Sequence, residues 1–270
     1  MAPPEPFCRE AGSGPGVVCL HSNASSSAQW RALIERLAPR HHVFAPDLHD
    51  SGRGPPWPSD REIRLVDEMA LVEPVLTRAG SPLALVGHSY GAAVALMAAL
   101  AEPGRVAAMA LYEPTLFGLI DAESPAPNAA DGIRDAVGAS AAALDAGDPA
   151  GAAECFIDYW MGRGTWAGMP AERKPAIEAS ATNVRRWAHA LFTEPTPRAA
   201  FLQLDVPVLC MIGGRTTASA RAVTRLLAAT LPRVEVVEFE ALGHMGPVTD
   251  PDVVNDAIAG FLGAHLPPAA

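Results

Sequence analysis

The chain has 270 residues, of which 49% are hydrophobic and 19% charged, and carries a formal charge of −10 at pH 7. Its 23 glycines and 26 prolines stay below the share of about a quarter that marks low-complexity chains, so a folded chain with a large core is expected, as one large domain or two smaller ones. The acidic balance excludes a general nucleic-acid binder, which needs basic residues to neutralise phosphate, and gives no attraction to an anionic membrane.

Residues 1–10 hold three prolines and two acids but no apolar stretch, so no secretory signal is read there. No apolar run approaches the ~18 residues of a membrane span. Cys8, Cys19, Cys155 and Cys210 are scattered without a CxxC pair, which predicts a reduced, cytoplasmic protein without disulfides or a zinc site.

Short apolar runs then alternate with helical patterns. Residues 17–20 read as a buried strand after a Gly/Pro/Ser turn, and 27–37 as a helix with Trp30, Leu33, Ile34 and Leu37 on one face. A second strand covers 43–45. A helix covers 63–79, with a kink or break expected at Pro74. Residues 83–86 form a third strand, 90–101 an alanine-rich helix expected to be buried on most sides, and 106–112 a fourth strand. After a gap, strand 206–212, helix 218–231, strand 234–239 and helix 251–266 complete the chain. Near-continuous apolar strands alternating with helices imply a mostly parallel central sheet covered on both faces, an α/β fold.

Residues from about 115 to 198 break this rhythm. They hold helical stretches near 131–146, 149–161 and 171–192, no good strand, and Trp160, Trp166 and Trp187. A helical insertion between two strands of one sheet is the simplest reading.

The chemistry concentrates at Gly87-His88-Ser89-Tyr90-Gly91, between the third strand and the alanine-rich helix. This is the G-x-S-x-G pattern in the strand-turn-helix context that gives it meaning. The sharp corner needs neighbours without side chains, lifts the Ser89 hydroxyl clear of the sheet, and aims the Tyr90 N–H, at a helix N-terminus, where an oxyanion forms. A serine needs a base. Of the eight histidines, His244 lies in a loop after the last strand, at the carboxyl end of the sheet where such folds place ligands. His41, His42, His49, His189 and His265 read as surface or cap residues, and His21 and His88 as holders of loops.

Leu20-His21-Ser22-Asn23, Pro46-Asp47 with Gly52-Arg53-Gly54, Gly87 to Gly91, and Gly243-His244 with Asp250-Pro251 together resemble the α/β-hydrolase fold family with an inserted cap. The resemblance implies a core over 1–114 and 199–270 and a helical cap or lid over 115–198. It places the second oxyanion N–H at Asn23, and His21 and Ser22 where the family often has His-Gly. The family usually carries its acid after the strand 206–212, where this chain has Gly213-Gly214-Arg215-Thr216-Thr217, with Thr216 near the expected position. Some members carry the acid one strand earlier. Glu113 stands there, so Glu113 is expected to orient His244. The alternative is a strand-end glutamate that binds loop backbone. Asp121 and Asp205 are weaker candidates, Asp205 because it precedes its strand.

The resemblance thus implies a serine hydrolase using Ser89, His244 and Glu113 on a small or medium apolar carbonyl substrate, a carboxylic ester first. Activity is expected to fall at acid pH as His244 protonates. His21, Ser22, Phe117, Trp160, Trp166 and Met245, with Leu119 and Met161, are expected at the substrate pocket, or else, for the aromatic and apolar residues of the cap, only to pack it. Thioester or carbon–carbon bond hydrolysis and acyl transfer remain alternatives on the same triad, as does a non-catalytic binding homologue. Epoxide opening and dehalogenation are excluded, because those members use an aspartate nucleophile. Asn23, where dehalogenases hold halide, is read as coincidence. No cofactor or metal is expected: Gly213-Gly214 lacks the rest of a dinucleotide fingerprint, and the glycines at 12–16 precede a strand. The partner is a small-molecule substrate, and no oligomeric state is implied.

Overall fold

The computed structural model describes residues 5–266. The reading of no secretory signal over 1–10 therefore lies partly outside the described residues. Seven strands form one sheet in the order β1-β3-β2-β4-β5-β6-β7: β1 Cys8–Ala11, β2 Gly16–Leu20, β3 His42–Pro46, β4 Leu83–His88, β5 Val106–Tyr112, β6 Val208–Gly213 and β7 Val234–Phe239. All neighbours pair in parallel except β1, which runs antiparallel along β3.

Alternation along each strand sends side chains to two separate cores. Val17, Cys19, Ala84, Val86 and Met211 pack against α1 (Arg31–Leu37) and α12 (Pro251–His265), which follows the one-turn α11 (Gly246–Thr249). Val18, Leu20, Leu83, Leu85 and Cys210 pack against α2 (Leu65–Ala79), α3 (Tyr90–Ala101) and α10 (Ala218–Ala228). Burial on both faces explains why these strands read as unbroken apolar runs.

The helix through Pro74 continues without a break. Val72 before the proline and Val75 and Leu76 after it are buried against the sheet side, and that packing holds the turn that lacks one N–H. The antiparallel β1 went unread because four residues, CREA, of which none is fully buried, carry no periodic signal.

Between β5 and β6 stand six α-helices: α4 Gly118–Glu123, α5 Asp131–Asp145, α6 Pro149–Met161, α7 Thr165–Gly168, α8 Lys174–Ala181 and α9 Val184–Phe192. The single helix expected over 171–192 is divided at Thr182 and Asn183, both poor helix formers. Phe117, Ile133, Phe156, Trp160 and Trp187 from this segment are continuous with the core around α3. This explains why α3 is buried all round, from Tyr90 to Ala99.

Candidate active site

Ser89 sits at the corner between β4 and α3 with φ 55° and ψ −116°, a left-handed conformation that a non-glycine residue adopts only under constraint. A Cβ on Gly87 would lie 2.5 Å from the Ala92 Cα, and one on Gly91 would lie 2.3 Å from the Leu20 carbonyl oxygen. The corner therefore closes only with glycine at both positions, as the motif requires. The Ser89 N–H donates to the Tyr112 carbonyl at 2.9 Å, which ties the corner to the end of β5.

The end of β5 supplies the second group. Glu113 also has a positive φ, +46°, and its N–H donates to the Met211 carbonyl at 3.1 Å. This turn sends its carboxylate under the end of β6. There Oε1 accepts from the Gly213 N–H at 2.7 Å, and Oε2 accepts from the Thr216 hydroxyl at 2.6 Å and lies 2.6 Å from His244 Nδ1. The far ring nitrogen, His244 Nε2, is 2.9 Å from Ser89 Oγ. Glu113 is fully buried, and His244 and Ser89 are nearly so. A buried carboxylate with three donors has three of its roughly four acceptor sites engaged. The two weaker acids stand elsewhere: Asp121 pairs with Arg134 among the inserted helices, and Asp205 is exposed ahead of β6.

Two histidines brace the corner. Burial holds the His88 ring well below the usual histidine range, helped by the neighbouring His244, so it is neutral. Its Nε2 lies 2.8 Å from the His244 carbonyl and its Nδ1 3.0 Å from the Gln29 amide nitrogen. A neutral imidazole fits as donor to the first and acceptor from the second. Gln29 Oε1 in turn accepts from the Ser22 N–H at 3.2 Å and the Ser22 hydroxyl at 3.1 Å. Burial lowers His21 too; it accepts from the Leu48 N–H and donates to the Ser22 carbonyl. The Tyr112 hydroxyl donates to the Gly243 carbonyl at 2.7 Å. The loop bearing Ser22 and Asn23 and the loop bearing His244 are thus linked through Gln29 and His88.

The backbone N–H groups of Tyr90 and Asn23 have no intramolecular acceptor among the described residues. Ser22, Asn23, Ser89 and His244 line a mostly apolar cavity of about 30 Å³ together with Phe117, Trp160, Trp187 and Met245. The Trp160 ring stacks on His244 with centroids 3.9 Å apart.

Some expected residues fall outside this cavity. Trp166, on the short α7, is buried with Lys174 over its ring and does not line the cavity. His21 lies behind the Ser22 loop as a hydrogen-bonding brace. Leu119 packs into the core, and Met161, at the end of α6, is half-exposed outside the cavity. His41 and His49, expected at the surface, are buried, His49 through a contact with the Pro55 carbonyl. Sequence reasoning missed Gln29, Thr216 as a partner of Glu113, and the wall residues Thr115, Ile133, Val137, Phe156 and Leu191. Only Gln29, a polar residue beside Trp30 in an otherwise apolar helical face, left a readable signal.

A seven-stranded, mostly parallel sheet with a serine on its β4–α3 corner defines an α/β hydrolase, and the chain belongs to the alpha/beta hydrolase family, whose profile matches residues 17–257. It is a hydrolase enzyme. It is 30% identical to Lipase LipV of Mycobacterium tuberculosis over 93% of this chain and 95% of that one. An alpha/beta hydrolase from Sphaerobacter thermophilus superposes with a TM-score of 0.73 at 27% identity, covering 95% of each chain. An alpha/beta hydrolase from a deep-sea metagenome reaches 0.79 at 18% identity over 95% of this chain and 94% of that one, a likeness of fold.

Proposed function

We propose that the protein is a serine esterase in which Ser89, His244 and Glu113 form the triad. The observation that carries this reading is the unbroken chain from Ser89 Oγ through both nitrogens of His244 to Glu113, at 2.9 and 2.6 Å. The similarity to a lipase over nearly the whole chain supports an ester as the bond cleaved.

His244 Nε2 takes the Ser89 proton as Oγ bonds to the ester carbonyl carbon. The oxyanion forms toward the Tyr90 and Asn23 N–H groups, each worth about 3–4 kcal/mol in comparable sites. Collapse of the tetrahedral species expels the alcohol, which receives the proton from Nε2. Water, deprotonated by the same nitrogen, then attacks the acyl-enzyme and releases the acid. Glu113 accepts the Nδ1–H throughout, which fixes the ring and stabilises its protonated form.

In this reading residues 1–114 and 199–270 are the catalytic core and 115–198 the lid. Phe117, Trp160, Trp187 and Met245 shape the acyl site together with Ser22. The small apolar cavity favours a short acyl group. Labelling with a serine-directed fluorophosphonate, lost in Ser89→Ala, and hydrolysis of short-chain 4-nitrophenyl esters by the wild type test the proposal. Absence of both would overturn the serine-esterase reading.

A further inference from the structure

Thr115 follows Glu113 by two residues, and its carbonyl accepts the Phe117 N–H at 2.9 Å, so its backbone is fixed in a tight turn at the end of β5. It lines the same cavity as Asn23, Ser89 and His244 and is almost wholly buried. Among the described residues, the buried side-chain polar atoms without a hydrogen-bond partner belong to Arg9, Trp30, His41 and Thr115. Of these four residues, only Thr115 lines the cavity that holds the serine.

A hydroxyl cut off from water and left unpaired is unfavourable. Valine has nearly the same shape and would carry no such cost. The neighbouring polar side chains offer no relief, because their own bonds lie elsewhere. The Ser22 hydroxyl donates to Gln29, and Ser89 and His244 meet each other. Asn23 is only half-buried, so its amide is partly open to solvent. The rest of the wall, including Phe117, Ile133 and Leu191, is apolar. Thr115 thus brings one unspent proton and two lone pairs to an otherwise greasy surface. Such a group sorts ligands. An oxygen placed beside it completes the bond, whereas a methylene in the same place leaves the hydroxyl unpaired.

From the reading of the site as a serine esterase whose acyl group enters this cavity, we propose that Thr115 determines specificity, and that the substrate's short acyl chain carries an oxygen that accepts the Thr115 hydroxyl proton. The carbons of the chain pack on the apolar wall. The oxygen is uncharged, an ether, hydroxyl or keto oxygen, because no lysine or arginine lines the cavity to pair with an anion. Thr115 touches the acyl chain and takes no part in bond making, so its effect is on the choice between acyl groups.

The test uses two pairs of 4-nitrophenyl esters in which an ether oxygen replaces one methylene: methoxyacetate against butyrate, and 3-methoxypropanoate against pentanoate. The two pairs put the oxygen at successive positions along the chain. The readout is the ratio of kcat/KM for the ether ester over its hydrocarbon partner, compared between proteins so that intrinsic reactivity cancels. In at least one pair Thr115→Val lowers this ratio about fivefold, the size of one neutral hydrogen bond. Thr115→Ser, which keeps the hydroxyl, holds the ratio near the wild-type value. The urea denaturation midpoint of Thr115→Val stays level or rises, because the variant removes a buried group that had no partner. Unchanged ratios in both pairs, with the esters hydrolysed, overturn this inference and leave the esterase reading standing. A lower midpoint or failure to fold in Thr115→Val, with the ratios kept in Thr115→Ser, shows that the hydroxyl serves the fold and overturns it as well. Failure of the wild type to hydrolyse any of the four esters overturns both readings.

Discussion

The hydroxyl of Thr216 donates to Oε2 of Glu113 at 2.6 Å, on the same oxygen that meets His244 Nδ1. Thr216 lies in the loop after β6, where an aspartate is usual in this fold. The carboxylate reaches the histidine from β5 instead, and the residue in the usual place has become its hydrogen-bond donor. If Glu113 is the acid of the triad, Glu113→Gln keeps the shape and presents an amide to His244. The expected result is a fall in kcat of about 10³–10⁴-fold with the fold retained by circular dichroism. Near-normal kcat would remove Glu113 from the mechanism.

Thr216→Val removes the hydroxyl and keeps the volume. Glu113 then retains the Gly213 N–H and His244 but loses one of three donors. One hydrogen bond to a charged group is worth about 1.5–3 kcal/mol, so kcat is expected to fall about tenfold or more, with KM little changed. Steady-state kinetics on one short ester measure this. An effect on KM alone would mean that Thr216 acts on substrate rather than through Glu113.

Gln29 makes a second prediction about positioning. It is bonded to Ser22 and to His88, and His88 holds the His244 carbonyl. Gln29→Leu leaves the buried His88 nitrogen and the Ser22 donors without this partner, at a cost of about 1–3 kcal/mol. A lower denaturation midpoint and a lower kcat are expected together. Gln29→Glu, which keeps the acceptor for Ser22 but presents no amide donor to His88, should recover only part of the loss. Full activity in Gln29→Leu would show that the link does not position His244.

The strands, the serine corner and the histidine were legible because each rests on a local rule. Apolar runs mark strands buried on both faces, and Gly87 and Gly91 mark a corner where a Cβ would strike backbone. β4, α3 and β5 were placed to within about two residues on that basis. The position of Glu113 beside His244 is different in kind. It depends on a positive φ at residue 113 and on the parallel register of β5 with β6, and no local pattern encodes either. The fate of the aromatic residues was illegible for the same reason. Trp160 and Trp166 are six positions apart, yet one, on α6, stacks on His244 and the other, on α7, packs under Lys174.

Trp160 lines both the inner cavity and a second hollow of about 340 Å³ shared with Tyr159 and Thr217, and its replacement should change substrate length preference. Trp160→Leu removes the ring from the face of His244 and joins the two spaces. Longer acyl chains then gain room beyond the cavity of about 30 Å³. Across 4-nitrophenyl esters of increasing chain length, the optimum of kcat/KM is expected to move to longer chains. Loss of stacking and packing is expected to cost about 1–3 kcal/mol in stability. An unaltered chain-length profile in a folded variant would mean that Trp160 does not bound the acyl site.

Glu68 gives a prediction about pH. Its carboxyl is buried beneath the serine corner, where it accepts from the Tyr90 hydroxyl and the His49 N–H, both at 3.2 Å. Burial pushes its pKa up from an ordinary 4.5 to about 8, with Asp50 and Asp67 adding to the rise against the two hydrogen bonds. Below about pH 4.5 the group is protonated in the folded and the unfolded chain alike and favours neither. Between 4.5 and about 8 the folded chain keeps the proton while the unfolded chain releases it. Folding stability therefore declines as pH rises through this window and levels off above it. Glu68→Gln cannot ionise and keeps an oxygen for one of the two donors. Its stability relative to wild type should improve from pH 5 to pH 8 by a few kcal/mol. Urea denaturation of both proteins at the two pH values measures the difference. Parallel pH profiles for the two would mean that Glu68 is ionised in the folded protein, so that the carboxyl beneath the corner is not the source of the decline.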